Sequence, residues 1–215
     1  MRNLILAAIA LIVASVATPA SALEKNTEGW SRLQLSFVTG KVKEKPTDIE
    51  YDGLNGLALG FSKGISLSET LPIFIEPTAE LVWLHEKETT ELFGIESTVK
   101  TNALSLNIPV VAAYKLQFND KISLVPFFGP NFKFHLFDKT KKEVESSKYS
   151  EEEEVDNLVD DANKRFQFGL SLGVGFNVKK LNVSYRFNPD LSPRFDDGEY
   201  KDKTRYNFIT VGINF

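Results

Sequence analysis

The sequence predicts an all-β chain, an eight-stranded antiparallel up-and-down transmembrane β-barrel preceded by a cleaved signal peptide. Three observations predict it. Apolar residues recur at every second position in eight segments, large apolar side chains oppose small polar ones across those segments, and long polar connections alternate with short ones. A period of two sends successive side chains to opposite faces of a strand, so each segment has one greasy face and one compact face.

The chain opens with the export signal. Arg2 supplies a positive charge, Leu4 to Ala17 forms an apolar run broken only by Ser15, and Ala20-Ser21-Ala22 is a small-residue cleavage site. This is the pattern of a secretory signal peptide, and the run is too short for the roughly twenty residues of a spanning helix. Residues 1–22 are therefore read as the signal and residues 23–215 as one barrel domain.

The strands then follow in order. Leu33, Leu35 and Phe37 mark the first, and Leu57, Leu59 and Phe61 mark the second, with Gly56, Ala58 and Gly60 on its other face. Ile73, Ile75, Leu81 and Trp83 make the third, and Leu104, Leu106, Ile108, Val110 and Tyr114 the fourth. Ile122, Leu124, Phe128, Phe132 and Phe134 make the fifth. The sixth, Phe166 to Val178, sets seven large apolar residues against Gln167, Gly169, Ser171, Gly173, Gly175 and Asn177. Leu181, Val183, Tyr185 and Phe187 give the seventh, and Ile209, Val211, Ile213 and Phe215 the eighth. Pro77, Pro109, Pro126 and Pro130 fall inside these segments. Proline cannot donate to a ladder, so bulges or strand breaks are expected there.

Long polar connections run from Lys41 to Asp52, Glu86 to Lys100, Asp138 to Lys164 and Asn188 to Lys203, with tight links near Gly64 to Glu69, Asn119-Asp120 and Lys179-Lys180. Bacterial outer-membrane barrels show this asymmetry, with long loops outside and short turns in the periplasm. An even strand number then puts both termini in the periplasm.

A water-soluble barrel would hold its large apolar residues inside, around a ligand, and show a charged exterior. A soluble periplasmic lipid-binding barrel is therefore the first alternative. The Gly, Ser, Ala and Asn of the opposite face instead suit the crowded lumen of an eight-stranded barrel, and the Phe and Leu face suits lipid. Trp30, Trp83, Tyr114, Tyr185 and Tyr206 lie near strand ends, as interfacial aromatics do. By the same phase Arg32, Glu76, Glu80, Lys115, Lys133 and Arg186 point into the lumen as a charge network. Glu76 and Lys115 are expected to pair between adjacent strands, and Glu80 and Arg186 to meet across the lumen. Buried, satisfied charges filling a core are expected rather than an open pore.

The motifs Leu106-Asn107-Ile108-Pro109 with Tyr114-Lys115, Pro126-Phe127-Phe128-Gly129-Pro130, Gly169 to Phe176 and Leu181-Asn182-Val183-Ser184-Tyr185-Arg186-Phe187 resemble the PorT-like outer-membrane β-barrel family of Bacteroidota. The resemblance covers roughly Trp30 to Phe215. It implies a small barrel in the cell outer membrane of a Gram-negative bacterium, handled by the export and barrel assembly machinery during biogenesis. The apolar ending at Phe215 resembles the signal that machinery reads.

Composition limits the chemistry. Lysine and arginine number 25 against 29 acidic residues, for a net charge of -4, so no basic footprint for nucleic acid exists. Cysteine is absent, which removes disulfides, thiolate metal sites and cysteine nucleophiles. No phosphate loop, nucleophile elbow or zinc-protease pair is present, and no cofactor is implied. The acidic stretch Ser147 to Lys164 carries Ser150 and Glu153 as a capping box, followed by Val155, Leu158, Val159 and Ala162 at helical spacing. A short amphipathic helix is expected there, and a divalent-cation site is weighed against a solvated charge run.

The only histidines are His85 and His135. An outer-leaflet lipid A-modifying enzyme would need a serine beside one of them, as His-x-Ser on one strand face supplies. Neither histidine has it, and by phase His85 faces lipid and His135 the lumen. The chain is thus expected to be a non-enzymatic outer-membrane barrel surrounded by outer-membrane lipid. Its role would be envelope structural, surface-contact or accessory to secretion or uptake.

Overall fold

The computed structural model describes residues 27–45, 47, 50–92, 95–146, 149–158, 164–196 and 200–215. The expected signal peptide lies outside the described residues. Eleven strands share one sheet: β1 (Trp30–Lys45), β2 (Glu50–Ser66), β3 (Ile73–Leu92), β4 (Ile95–Tyr114), β5 (Leu116–Asn119), β6 (Ile122–Ser146), β7 (Tyr149–Asp156), β8 (Phe166–Val178), β9 (Leu181–Pro189), β10 (Phe195–Asp196) and β11 (Lys201–Asn214). Of these, β1, β2, β3, β4, β6, β8, β9 and β11 pair antiparallel in that order, and β1 pairs back onto β11 from Arg32↔Asn214 to Lys45↔Lys201. The result is a closed eight-stranded ring. The short strands are additions: β5 continues the pairing of β4 onto β6, β7 folds back on β6, and β10 lies on the end of β11.

The faces are those of a membrane barrel. Leu35 is 54% exposed while its neighbour Ser36 is 1% exposed, and across the closing seam Val211 is 50% exposed and Thr210 3%. Leu57, Leu59 and Phe61 on β2, Leu81 and Trp83 on β3, and Val183 and Tyr185 on β9 are likewise outside. The polar residues Gln34, Ser62, Thr78, Asn107, Asn131, Gln167, Asn182 and Asn188 are buried within. A soluble lipid-binding barrel needs the reverse arrangement. Here the apolar exterior matches hydrocarbon, and closure leaves no unpaired edge in the membrane-embedded ring.

The start of β1 and the end of β11 lie at one end, with the tight β5–β6 and β8–β9 links. Lys179 takes φ 54°, the left-handed region that a two-residue hairpin turn requires. Between β2 and β3, Ser68 Oγ accepts from the backbone N–H of Thr70 at 3.2 Å and Leu71 at 3.1 Å, which holds the longer link.

At the other end the strands outrun the membrane. β3 and β4 have 20 residues each and β6 has 25, where a tilted spanning strand needs about ten. Most of Glu86 to Lys100 and part of Asp138 to Lys164, expected as loops, are strand. β3 pairs with β4 up to Leu92↔Ile95, β4 with β6 up to Ile95↔Ser146, and β6 with β7 from Lys139↔Asp156 to Ser146↔Tyr149. Lys41 to Lys45 and Lys201 to Lys203 are also strand. These extensions are polar on both faces, so no alternation in hydropathy marks them. What holds them is cross-strand pairing: Thr89 with Thr98 at 3.0 Å, Thr101 with Thr140 at 3.2 Å, and Lys100 Nζ donating to Glu143 at 2.7 Å.

The amphipathic helix expected after Ser150 is absent over Tyr149–Asp156, which is β7. The basic run of β6 explains it: Lys141 and Lys142 lie opposite Glu154 and Glu153 in register, and Lys139 hydrogen-bonds Glu154. Opposite charges facing across a ladder stabilise the strand, and a helix would forgo them. Val159 and Ala162 lie outside the described residues.

The prolines disturb less than expected. β3 keeps one register on both sides of Pro77, and β6 keeps one register with β8 through Pro126 and Pro130. The register shifts fall instead at Thr39/Lys41, Leu104/Ser105 and Gln117/Asn119. Only opposite Pro126 does a neighbouring strand break: β4 stops at Tyr114, pairing resumes at Leu116↔Leu124, and the Lys115 N–H turns away to the Pro72 carbonyl at 2.9 Å. A missing donor is tolerated where flanking pairs hold the register.

Two predictions follow from this architecture. Replacing Leu35 by Arg puts a charge on the lipid face and should cost about 2–4 kcal/mol, read from urea unfolding of the chain in phosphatidylcholine vesicles. The second concerns the projecting sheet, where hydrogen bonds from Lys100 and Lys141 hold the Glu143 carboxyl below the ordinary carboxylate range. A depressed folded value means that this stabilisation is present above that range and is lost as pH falls through the lowered value. Amide exchange at Thr98 and Lys142 should be insensitive between pH 7 and about pH 5 and should accelerate in more acidic solution, after correction for intrinsic exchange.

Candidate functional site: the charged lumen

Five of the six charges expected in the lumen are buried there. Arg32, Glu76, Glu80, Lys133 and Arg186 are each at most 6% exposed. They form ion pairs stacked along the axis. Nearest the termini, Arg32 on β1 donates to Glu76 on β3 at 3.0 Å and to Asn214 on β11 at 2.8 Å. The contact with Glu76 crosses β2, whose inward Gly60, Ser62 and Gly64 leave the space; a side chain at 64 would strike the Trp30 ring.

Glu80 and Arg186 meet in the middle through a charge-assisted hydrogen bond. Asn107 donates to the same carboxylate oxygen at 2.5 Å, and the guanidinium lies 4.1 Å from the Phe208 ring centroid. Higher still, Lys133 donates to Asp190 at 2.7 Å, lies 4.2 Å from the Tyr206 centroid, and shares Asp190 with Thr204. Asp138 and Arg194 form a further pair, and Asn157 donates to Asp138 at 2.8 Å.

Lys115 departs from expectation. It does not pair with Glu76, because Glu76 lies opposite Val111 and Tyr114 already lies opposite Ile73, the first residue of β3. Lys115 therefore falls past the start of β3, half-buried at the mouth, with Nζ 5.8 Å from the Trp30 ring centroid. Arg32 is the partner of Glu76. Asp190, Asp138 and Arg194 belong to the site but were not anticipated. Asp190 and Arg194 stand beyond the end of β9, where the period-two phase assigns no face, and Asp138 lies within β6 past the register shift at Leu104/Ser105, which reverses the phase.

The histidines separate as their phase indicates. His85 is exposed on the outer face, stacked 6.2 Å from Trp83 and bonded to Asn102 at 2.8 Å. His135 is buried, with Nδ1 3.0 Å from Ser105 Oγ and Nε2 2.7 Å from Gln167 Oε1. Gln167 presents its carbonyl oxygen, so Nε2 donates and Nδ1 accepts from Ser105. The serine is supplied by the adjacent strand, opposite His135 in register, so no same-strand motif could disclose it. The order hydroxyl, imidazole, orienting group is that of a nucleophile and its base. Yet Ser105, His135 and Gln167 are 2%, 5% and 0% exposed, and neither described cavity reaches them. The contacts join β4, β6 and β8.

The lumen is filled. The cavity among Arg32, Gln34, Glu76, Thr78 and Arg186 is about 20 Å³, near the space of a single water. A second, about 200 Å³, opens at the terminal end between Trp30, Lys115 and Asn177. Between them Trp30 packs on Phe74 with centroids 4.6 Å apart. Among the described residues no three His, Cys, Asp or Glu side chains gather as metal ligands.

A closed antiparallel barrel with lipid-facing apolar residues and a plugged ionic lumen is a small outer-membrane barrel protein. The outer membrane protein beta-barrel domain family matches residues 30–196, and the chain belongs to that family. Among solved structures it is similar to Ail, the attachment invasion locus protein of Yersinia pestis, at 15% identity over 87% of this chain and 99% of that one, with TM-score 0.46. It is also similar to OprG from Pseudomonas aeruginosa, at 11% identity over 90% and 99% with TM-score 0.44, and to the outer membrane enzyme PagL, at 10% over 84% and 98% with TM-score 0.40. No curated protein matches the chain.

Removing one member of a buried pair leaves the other charge stranded, at a cost of about 3–5 kcal/mol. Arg186→Met should therefore destabilise the barrel by that much in urea unfolding. The double variant Arg186→Met with Glu80→Met should regain most of the loss. Equal destabilisation in both would show that packing of the arginine stem, and not the charge pair, matters.

Proposed function

We propose that this chain is a non-enzymatic integral barrel of the outer membrane that acts through the polar surface it raises beyond the bilayer. Its termini face the periplasm and its long hairpins face the medium. The role we assign is surface contact, with envelope support or service to a secretion or uptake assembly as the alternatives within the same class. We further propose that it is one of the PorT-like barrels of Bacteroidota, a reading that rests on the resemblance of the motifs Leu106-Asn107-Ile108-Pro109 and Pro126-Phe127-Phe128-Gly129-Pro130.

One observation carries the reading: the lumen is occupied by ion pairs over its length while β3, β4, β6 and β7 continue as a sheet past the apolar band. A plugged lumen favours neither solute passage nor a buried reaction. The projecting sheet offers two strand edges, along β3 and β7, and an acidic run on β7 that fits such an edge, since charge there discourages indiscriminate pairing.

Intact cells should test both halves. Added trypsin is expected to cut the chain near Lys141 and Lys142 while leaving Lys121 and Lys179 intact, and the protected fragment should migrate faster on a gel before boiling than after. Cleavage at Lys121 in intact cells would reverse the orientation. Loss of lipid A acyl chains on expression, abolished by Ser105→Ala with His135→Ala, would replace this reading with an enzymatic one.

A further inference from the structure

The closing seam changes character abruptly along its outer face. From the terminal end upward, Leu33 lies opposite Ile213, Leu35 opposite Val211 and Phe37 opposite Ile209, all large, apolar and exposed. Thr39 opposite Asn207 ends this column. The next three outward pairs are Lys41↔Arg205, Lys43↔Lys203 and Lys45↔Lys201, three cation pairs in succession. Like charges directly opposite each other destabilise a ladder, so the sheet alone gives no reason for the arrangement.

Lysines also face one another on the projecting sheet, where Lys87, Lys100 and Lys141 stand in one row, but acids are interleaved with them there. On the projecting sheet, Lys100 and Lys141 share Glu143 at 2.7 and 3.0 Å, and Lys139 pairs with Glu154. On the seam, Lys41 and Lys43 have Asp52 and Glu50 opposite them on β2, and Lys201 lies 3.4 Å from Asp196. On the outward phase six cations thus stand beside three acids, with Glu44 and Asp202 on the inward phase between them, and Lys45 and Lys203 have no ion pair among the described residues. The surplus is positive, and it sits on the seam where apolar surface ends.

Position identifies the complement. One outward step, about 7 Å along the strand, separates Thr39 from Lys41. A lipid whose acyl chains lie along Leu33, Leu35 and Phe37 and their β11 partners would bring its headgroup level with Lys41 and Arg205. We infer that the outward Lys41, Lys43, Lys45, Lys201, Lys203 and Arg205 dock the phosphorylated headgroup of a membrane lipid whose chains occupy the apolar column beneath, in the leaflet at the hairpin end. Arginine supplies planar, paired donors for phosphate oxygens, and the lysines supply point charges. The inference rests on the membrane insertion proposed above.

The test is native mass spectrometry of the full chain in dodecyl maltoside, incubated with diphosphorylated lipid A or with the same lipid stripped of both phosphates. The wild-type chain should retain the phosphorylated form about tenfold better, the equivalent of a little over one cation–phosphate contact. That preference should disappear in Lys43→Gln with Lys203→Gln and Arg205→Gln. It should persist in Lys121→Gln with Lys179→Gln and Lys180→Gln, at the opposite end. If the triple seam variant does not fold, Lys203→Gln alone should lower the preference, and salt should lower it in the wild type. No preference in the wild type, or equal loss in the two triple variants, overturns the inference. So does competition by inorganic tripolyphosphate as effective as that by unlabelled diphosphorylated lipid A, since the site would then take any soluble polyanion. Heat-modifiable migration of the same samples keeps the outcomes apart: a barrel that migrates normally yet shows no preference loses this inference alone, and one that is never heat-modifiable loses membrane insertion as well.

Discussion

The pairing of β1 with β11 is the constraint on which the rest of the molecule depends. In hydrocarbon an unpaired backbone N–H or carbonyl costs several kcal/mol, so a sheet in a bilayer must have no open edge. Fourteen registered pairs, Arg32↔Asn214 through Lys45↔Lys201, close this one. Closure fixes which residues face inward, and the inward set must then fill a narrow lumen with side chains that can satisfy one another.

That second demand explains the mixture of glycine and charge. Gly60, Gly64, Gly173 and Gly212 line positions where a Cβ would strike Glu80, the Trp30 ring, the Phe127 ring and the Arg32 stem respectively. Small residues on some strands are the condition for long charged ones on others. The ion pairs that result connect strands that are not neighbours in the ring: Arg32 of β1 with Glu76 of β3, and Glu80 of β3 with Arg186 of β9. Buried pairs of this kind are poor sources of net stability but are costly to break. Their effect is to penalise a slipped register, which would send each charge into lipid.

The spanning strands were legible because the membrane imposes a period of two with extreme contrast, as in Phe166 to Val178. The inward direction of Arg32, Glu76, Glu80, Lys133 and Arg186 followed from the same phase. Partner choice was legible only for Glu80 with Arg186. The error over Glu76 and Lys115 came from register, which depends on where β3 begins and on the interruption opposite Pro126, neither of which hydropathy marks. Beyond the membrane the contrast vanishes, since both faces of Glu86 to Thr90 and of Lys139 to Val144 meet water. Strand there is specified by threonine pairs and by opposite charges in facing runs, a signal that exists only between segments. The acidic run read alone fits a helix, and read against Lys139, Lys141 and Lys142 it fits β7.

The central claim is that greasy side chains look outward into lipid and polar ones meet across the interior. Spin labels at Leu35 and Val211, on facing strands of the seam, test it most directly against labels at Ser36 and Thr210, whose hydroxyls are 2.8 Å apart. In phosphatidylcholine vesicles the first two should relax strongly with oxygen and weakly with a water-soluble nickel chelate, while the second two should be shielded from oxygen. Labels at Leu35 and Val211 that relax with the chelate and ignore oxygen would contradict the account.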